Sequence, residues 1–146
     1  YNVENKIPTT IIRPFNHIGR EQNPFFIIPK IIDAFKEKKS EIQLGNINVT
    51  RDFLDIRDVI DAYCLIIENF DDGETYNLSS DKGIVISEVI NMIQELTDHS
   101  VKINTKKALL RKNEIKYIIG DSSKIRKRLN WKPSIDLKET INWMLK

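Results

Sequence analysis

Three short segments of this chain gather the residue types that bind anions and hydroxyls. The first, Arg13-Pro14-Phe15-Asn16-His17-Ile18-Gly19, follows an apolar run at 9–12 that reads as a buried strand. A polar loop opening off a strand end is a common ligand site in α/β sheets. An Arg-Pro-aromatic-Asn tetrapeptide also serves as an ordinary strand-to-turn exit. The second segment holds Arg51, Asp52, Asp55, Arg57 and Asp58. A guanidinium stays charged at every relevant pH and fits phosphate oxygens as a two-pronged donor. On a strand surface, Arg51 has the alternative of an ion pair with Asp52. The three aspartates suggest a metal site, yet they lack the Gly turn and terminal Glu of a calcium loop. Asp55 and Asp58 read instead as carboxylates that cap and orient a helix start. The third segment, Leu110-Arg111-Lys112-Asn113-Glu114-Ile115, places a cation three residues before a carboxylate, and local statistics make both exposed loop charges. His17 has no nucleophile or metal partner nearby and reads as loop structure.

Strands and helices must hold these groups in place. Asn23-Pro24 offers an N-cap followed by Pro at the first helical position, and Phe26, Ile27, Lys30, Ile31, Ala34 and Phe35 recur at helical spacing. A helix over about 24–38 is predicted, with Phe26 in its core-facing stripe. A strand follows at 49–54. Asp55 then caps a helix with the apolar set Val59, Ile60, Tyr63, Ile66, Ile67 and Phe70, ended by Asp71-Asp72-Gly73. Residues 75–78 read as a strand, and Ser87 caps a helix that buries Val89, Ile90, Ile93 and Leu96. A strand at 101–103, a helix from Asp121 or Ser122 to about Asn130, and a last helix at 137–145 complete the order. Trp131-Lys132-Pro133 interrupts it, because proline disfavours helix at the residue before it. There are no repeats, low-complexity tracts or convincing linkers.

At 146 residues the chain is long enough for one domain with a core. Its 23 Lys and Arg against 21 acidic residues give a net charge of +2, which argues against a nucleic-acid platform. The lone cysteine, Cys64, sits in an amphipathic helical pattern, reads as a small core residue and cannot form an internal disulfide. No apolar run approaches the length of a membrane span. Soluble composition and cysteine usage together predict a cytoplasmic protein.

In combination the three segments resemble the extended short-chain dehydrogenase/reductase family that modifies nucleotide-diphospho-sugars. The first resembles its RPFN-H-x-G segment, the second its R-D-[FWY]-x-x-V-x-D-V block, and the third, with Gly120-Asp121-Ser122-Ser123-Lys124 and Leu129-Asn130-Trp131-Lys132-Pro133, its C-terminal run. The form of the first two most resembles GDP-4-dehydro-6-deoxy-mannose reductases, with GDP-mannose 4,6-dehydratases next. The resemblance implies that Asn16, Arg51 and Arg111 contact the substrate's diphosphate and that Glu114 binds the ribose hydroxyls. It also implies that Phe26, Ile27 and Lys30 lie against the nucleotide. Two positions depart from the pattern: Lys112 stands where the family has Pro, and Asn130 where it has Gly. Asn tolerates the left-handed conformation a helix-ending Gly supplies.

The resemblance implies an α/β fold, the substrate-binding C-terminal portion of such an enzyme without most of its Rossmann domain. Residues 1–15 correspond to the last part of the Rossmann sheet and 16–146 to the substrate domain, with a strand near 75–78 returning to the sheet. The chain reads as cut from something longer, since it opens like the tail of a helix. A glycine-rich dinucleotide fingerprint is absent, and so is the family's Tyr-x-x-x-Lys pair: Tyr1 has Asn5 four residues on, and Tyr117 has Asp121. By resemblance the complete enzyme uses NAD(P), binds a GDP-sugar or another nucleotide-diphospho-sugar and forms a homodimer. The isolated chain is expected to bind no cofactor or metal, to contact neither nucleic acid nor membrane, and to be inactive. A dehydratase or epimerase, or a non-catalytic α/β binding module, are the alternatives.

Overall fold

The computed structural model describes residue 4, residues 6–110 and residues 113–146. Its elements run β1 (Ile11–Pro14), β2 (Asn16–Ile18), α1 (Ile27–Lys36), β3 (Glu41–Leu44), β4 (Thr50–Asp55), α2 (Ile56–Glu68), β5 (Thr75–Leu78), β6 (Gly83–Val85), α3 (Ile86–Thr97), β7 (Lys102–Thr105), β8 (Tyr117–Ile118), α4 (Ser123–Leu129) and α5 (Leu137–Leu145). β1 and β5 form a parallel pair, with Ile11 opposite Thr75 and Pro14 opposite Leu78. β4 pairs in parallel with β2 and β8 and antiparallel with β6. β3 and β7 make a separate parallel pair.

β4 divides the core, because successive strand residues face opposite ways. Phe53 packs with Ile28, Ile31, Phe35, Val89, Ile93 and Ile141 between α1, α3 and α5. Leu54 packs with Val59, Ala62, Ile66, Tyr76, Leu78, Ile125 and Trp131 around β5, α2 and α4.

Several sequence expectations need correction. The first helix begins at Ile27, not Pro24: residues 23–26 form a turn in which Asn23 Oδ1 accepts from Phe25 N at 2.9 Å and Asn23 O from Phe26 N at 3.1 Å. Pro29 is the reason. A helix starting at Pro24 would place Pro29 in its interior, where it lacks a donor and its ring clashes with the carbonyl four residues back; starting at Ile27 puts it harmlessly in the first turn. Phe26 consequently leaves the predicted core stripe and stands 60% exposed. Ser87 lies inside α3, whose N-cap is Val85, with the Val85 N–H donating to Glu88 at 3.2 Å. The stripe of α2 is only half buried: Val59 and Ile66 pack inward, while Ile60, Tyr63, Ile67 and Phe70 remain exposed. Cys64 is exposed as well and is not a core residue. It lies among those unburied apolar positions, so the helical period was read correctly and only one side of the broad apolar surface has a partner here. Asn130 ends α4 with φ +53°, the left-handed conformation its side chain tolerates.

Candidate functional site

The second motif folds as β4 running directly into α2, and its three aspartates are all buried. Each holds a different distant segment. Asp52 accepts from Ser80 N at 2.9 Å, Ser80 Oγ at 2.6 Å, Asp81 N at 3.0 Å and Gly120 N at 3.2 Å. Asp55 caps α2 through Arg57 N at 2.8 Å, takes both ends of the Arg57 guanidinium, and accepts from Thr140 Oγ1 at 2.7 Å. Asp58 accepts from Ser134 N and Oγ and from Ile135 N, at 2.9 to 3.1 Å. Burial opposes ionisation of Asp55, but the Arg57 and Thr140 hydrogen bonds outweigh it and hold its pKa below the ordinary 3.8. Asp81, also penalised by burial, is pulled below 3.8 by hydrogen bonds from Ser79 and Ser122 and by the Arg126 charge. These carboxylates fasten loops. Where they do so, no alanine-sized side chain could replace Gly120, whose Cβ would lie 2.3 Å from Ser79 Cβ and 3.0 Å from Phe15 Cδ2.

Beside this junction, the ends of β1 and β2 and the start of α1 enclose a cleft of about 720 Å³. Arg13, Phe15, Asn16, His17, Phe26, Ile27, Phe53, Asn77 and Ile118 are among its lining residues, a mainly apolar wall with a few polar groups, as ligand sites usually have. Asn16 is fixed by its Nδ2, which donates to the Asp52 carbonyl at 3.1 Å. His17, read from the sequence as loop structure, is instead the middle residue of β2, paired with Leu54; its Nδ1 lies 3.1 Å from Phe15 O, and Gln22 Nε2 donates to its backbone O. Phe26 is exposed at the rim, and no side chain caps α1.

Of the residues singled out by the motifs, Asn16, Phe26 and Ile27 share this cleft. Lys30 does not: its Nζ donates to Gln43 O at 2.7 Å. Arg51 and Glu114 come together with each other at 3.8 Å, and Arg51 Nη1 donates to Thr50 O and Ile115 O, so the alternative of an Asp52 ion pair is not realised and Glu114 is the partner. Asp52 is unavailable because backbone amides already fill its carboxylate. Arg111 lies outside the described residues. Arg13 and Asn77 were not selected from the sequence, although strand alternation points to them. Arg13 follows Ile12, which packs toward α2, and Asn77 sits between the buried Tyr76 and Leu78.

Comparison with known proteins agrees with this architecture. Residues 1–144 match the family model described as GDP-mannose 4,6 dehydratase. The chain is 33% identical over 116 residues to a GDP-6-deoxy-D-talose 4-dehydrogenase of Aggregatibacter actinomycetemcomitans, covering 80% of this chain and 40% of that protein. It is 30% identical over 140 residues to a GDP-6-deoxy-D-mannose reductase of Pseudomonas aeruginosa, covering 92% of this chain and 46% of the other. The structure of RMD from Pseudomonas aeruginosa complexed with NADPH superposes with a TM-score of 0.90 at 27% identity, over 99% of this chain and 49% of that one. The chain thus spans somewhat less than half the length of the curated relatives it matches. It belongs to the GDP-mannose 4,6 dehydratase family of extended short-chain dehydrogenases/reductases.

Proposed function

We propose that this chain is the sugar-nucleotide-binding part of an NAD(P)-dependent enzyme that reduces a GDP-4-keto-6-deoxy-mannose. The cleft carries this reading: it joins Asn16, Phe26 and Ile27 at strand ends, which is where open α/β sheets bind ligands. In this reading Phe26 stacks on the base and Asn16 contacts the diphosphate. Arg51 and Glu114 sit beside β8, next to the cleft-lining Ile118, and exchange their mutual contact for the diphosphate and ribose. Arg111 is assigned to the diphosphate as well. Lys30 reaches the nucleotide only by releasing Gln43 O. Residues 1–15 with the β1–β5 pair form the last part of a Rossmann sheet, and 16–146 the substrate domain around it.

The described residues carry no glycine-rich dinucleotide fingerprint, and the N-terminus of α1, at the cleft, is left without a side-chain cap. The N-termini of α2 and α5 are filled by Asp55 and Asp136, α3 by Glu88, and the sequence has no glycine-rich phosphate loop. In this reading these residues contribute substrate orientation through its remote diphosphate. The family model's description favours one second reading, a GDP-mannose 4,6-dehydratase. The test is NAD(P)H oxidation by the complete polypeptide with GDP-4-keto-6-deoxy-mannose. Stoichiometric oxidation is expected; conversion of GDP-mannose without net cofactor oxidation would favour the dehydratase. This chain by itself should show neither activity.

A further inference from the structure

We infer that Arg13 is the anion anchor of the cleft, a role the motifs assign elsewhere. The inference rests on the nucleotide-sugar reading for its ligand class, a diphosphate. Arg13 lies on β1 opposite Asn77 of β5, and both line the cleft. It is the single Lys or Arg among the described lining residues. The other candidates among the described residues are engaged: Arg51 by two carbonyls and Glu114, Lys30 by Gln43 O. The Arg13 side chain has no hydrogen bond or ion pair among the described residues, although the chain supplies acids to Arg57, Arg126 and Arg128.

That difference has a physical consequence. A ligand that recruits Arg51 must first displace Glu114, whereas one that meets Arg13 gives up no protein contact. Pro14, Phe15, Phe26, Ile27 and Phe53 surround the cleft with apolar surface, where charge–charge attraction is less screened than in open water. A guanidinium in that setting suits two oxygens of one phosphate or of adjacent phosphates. The diphosphate has two sources, the sugar nucleotide or a dinucleotide.

The test is calorimetric titration of the complete polypeptide and its Arg13→Gln and Arg13→Lys variants with GDP, guanosine, inorganic pyrophosphate and NADP+. Because the Arg13 side chain is exposed and has no partner among the described residues, both variants are expected to keep the wild-type circular dichroism and melting temperature, which are recorded alongside. Expected is a tenfold or greater loss of GDP and pyrophosphate affinity in Arg13→Gln, partial recovery in Arg13→Lys, and unchanged guanosine binding. Loss confined to NADP+ would support the anchor and assign it to the dinucleotide. Arg13-dependent pyrophosphate binding with no gain from the guanosine moiety would support the anchor while overturning the nucleotide-sugar reading. Equal affinities for all three diphosphates in wild type and Arg13→Gln, or no binding of any of them by wild type, would overturn it.

Discussion

The β4–α2 junction and the cleft lie one strand apart and treat their polar groups in opposite ways. At the junction, Asp52, Asp55 and Asp58 are buried and each is filled by backbone amides, hydroxyls or a guanidinium. Across the cleft, the Arg13 side chain has no partner among the described residues and Phe26 is 60% exposed. A buried carboxylate without donors would cost several kcal/mol, so the junction is where polar groups stabilise the fold. Groups left unsatisfied in a concave apolar wall do little for folding and are available to a ligand. Motif residues thus divide by partner count: Asp52 serves the fold, Asn16 bridges both regions, and Arg51 with Glu114 forms a pair that a ligand can open.

Substitutions should separate the two regions. The largest effect is expected from Asp52→Ala, which strands amides of residues 80, 81 and 120 and should lower stability by about 3 kcal/mol, read from denaturant midpoints. A change below about 0.5 kcal/mol would erase the distinction. In the complete polypeptide, Arg51→Ala and Arg111→Ala should each weaken sugar-nucleotide binding by on the order of 2 kcal/mol by titration calorimetry, with cofactor affinity nearly unchanged. For Arg51 the stability loss should be about 1 to 2 kcal/mol, since its hydrogen bonds to Thr50 O and Ile115 O go with the 3.8 Å ion pair. Phe26→Ala should cost about 1 kcal/mol of GDP affinity through lost stacking while leaving the melting temperature near wild type.

The smallest and most diagnostic effect is with pH. Asp55 and Asp81 have pKa values below 3.8 in the folded state, so the unfolded chain binds their protons first as pH falls. Their stabilisation is complete above about pH 4 to 5 and is lost as pH drops through the folded values. Asp55→Asn should flatten the acid limb of a stability–pH curve. An unchanged limb would mean that Asp55 titrates alike in both states.

Much of this was legible in the sequence, and the misses share a cause. Strand alternation and helical period identified β4, β5, α2 and α5, and Asn130 was recognised as a left-handed helix end. Motif order brought Asn16, Phe26 and Ile27 to one cleft. What failed depended on tertiary partners. Period alone cannot say which side of α2 finds a partner, so Cys64 and Ile67 were misplaced. Nor can it show that Asp52 reaches residues 80, 81 and 120, which left Arg51 to Glu114. The start of α1 is legible in Pro29, which excludes the longer helix, whereas the cap signal at Asn23 taken alone points to the earlier start.

The central claim is that the open cleft, with Phe26 on its rim, recognises a guanine nucleotide. Competition among GDP, dTDP and UDP for the complete polypeptide at one salt concentration tests it most directly, since the shared diphosphate cancels and only base and ribose contacts remain. The account predicts GDP preference of about tenfold, roughly 1.4 kcal/mol. Equal affinity for the three, or tighter binding of dTDP, would contradict it.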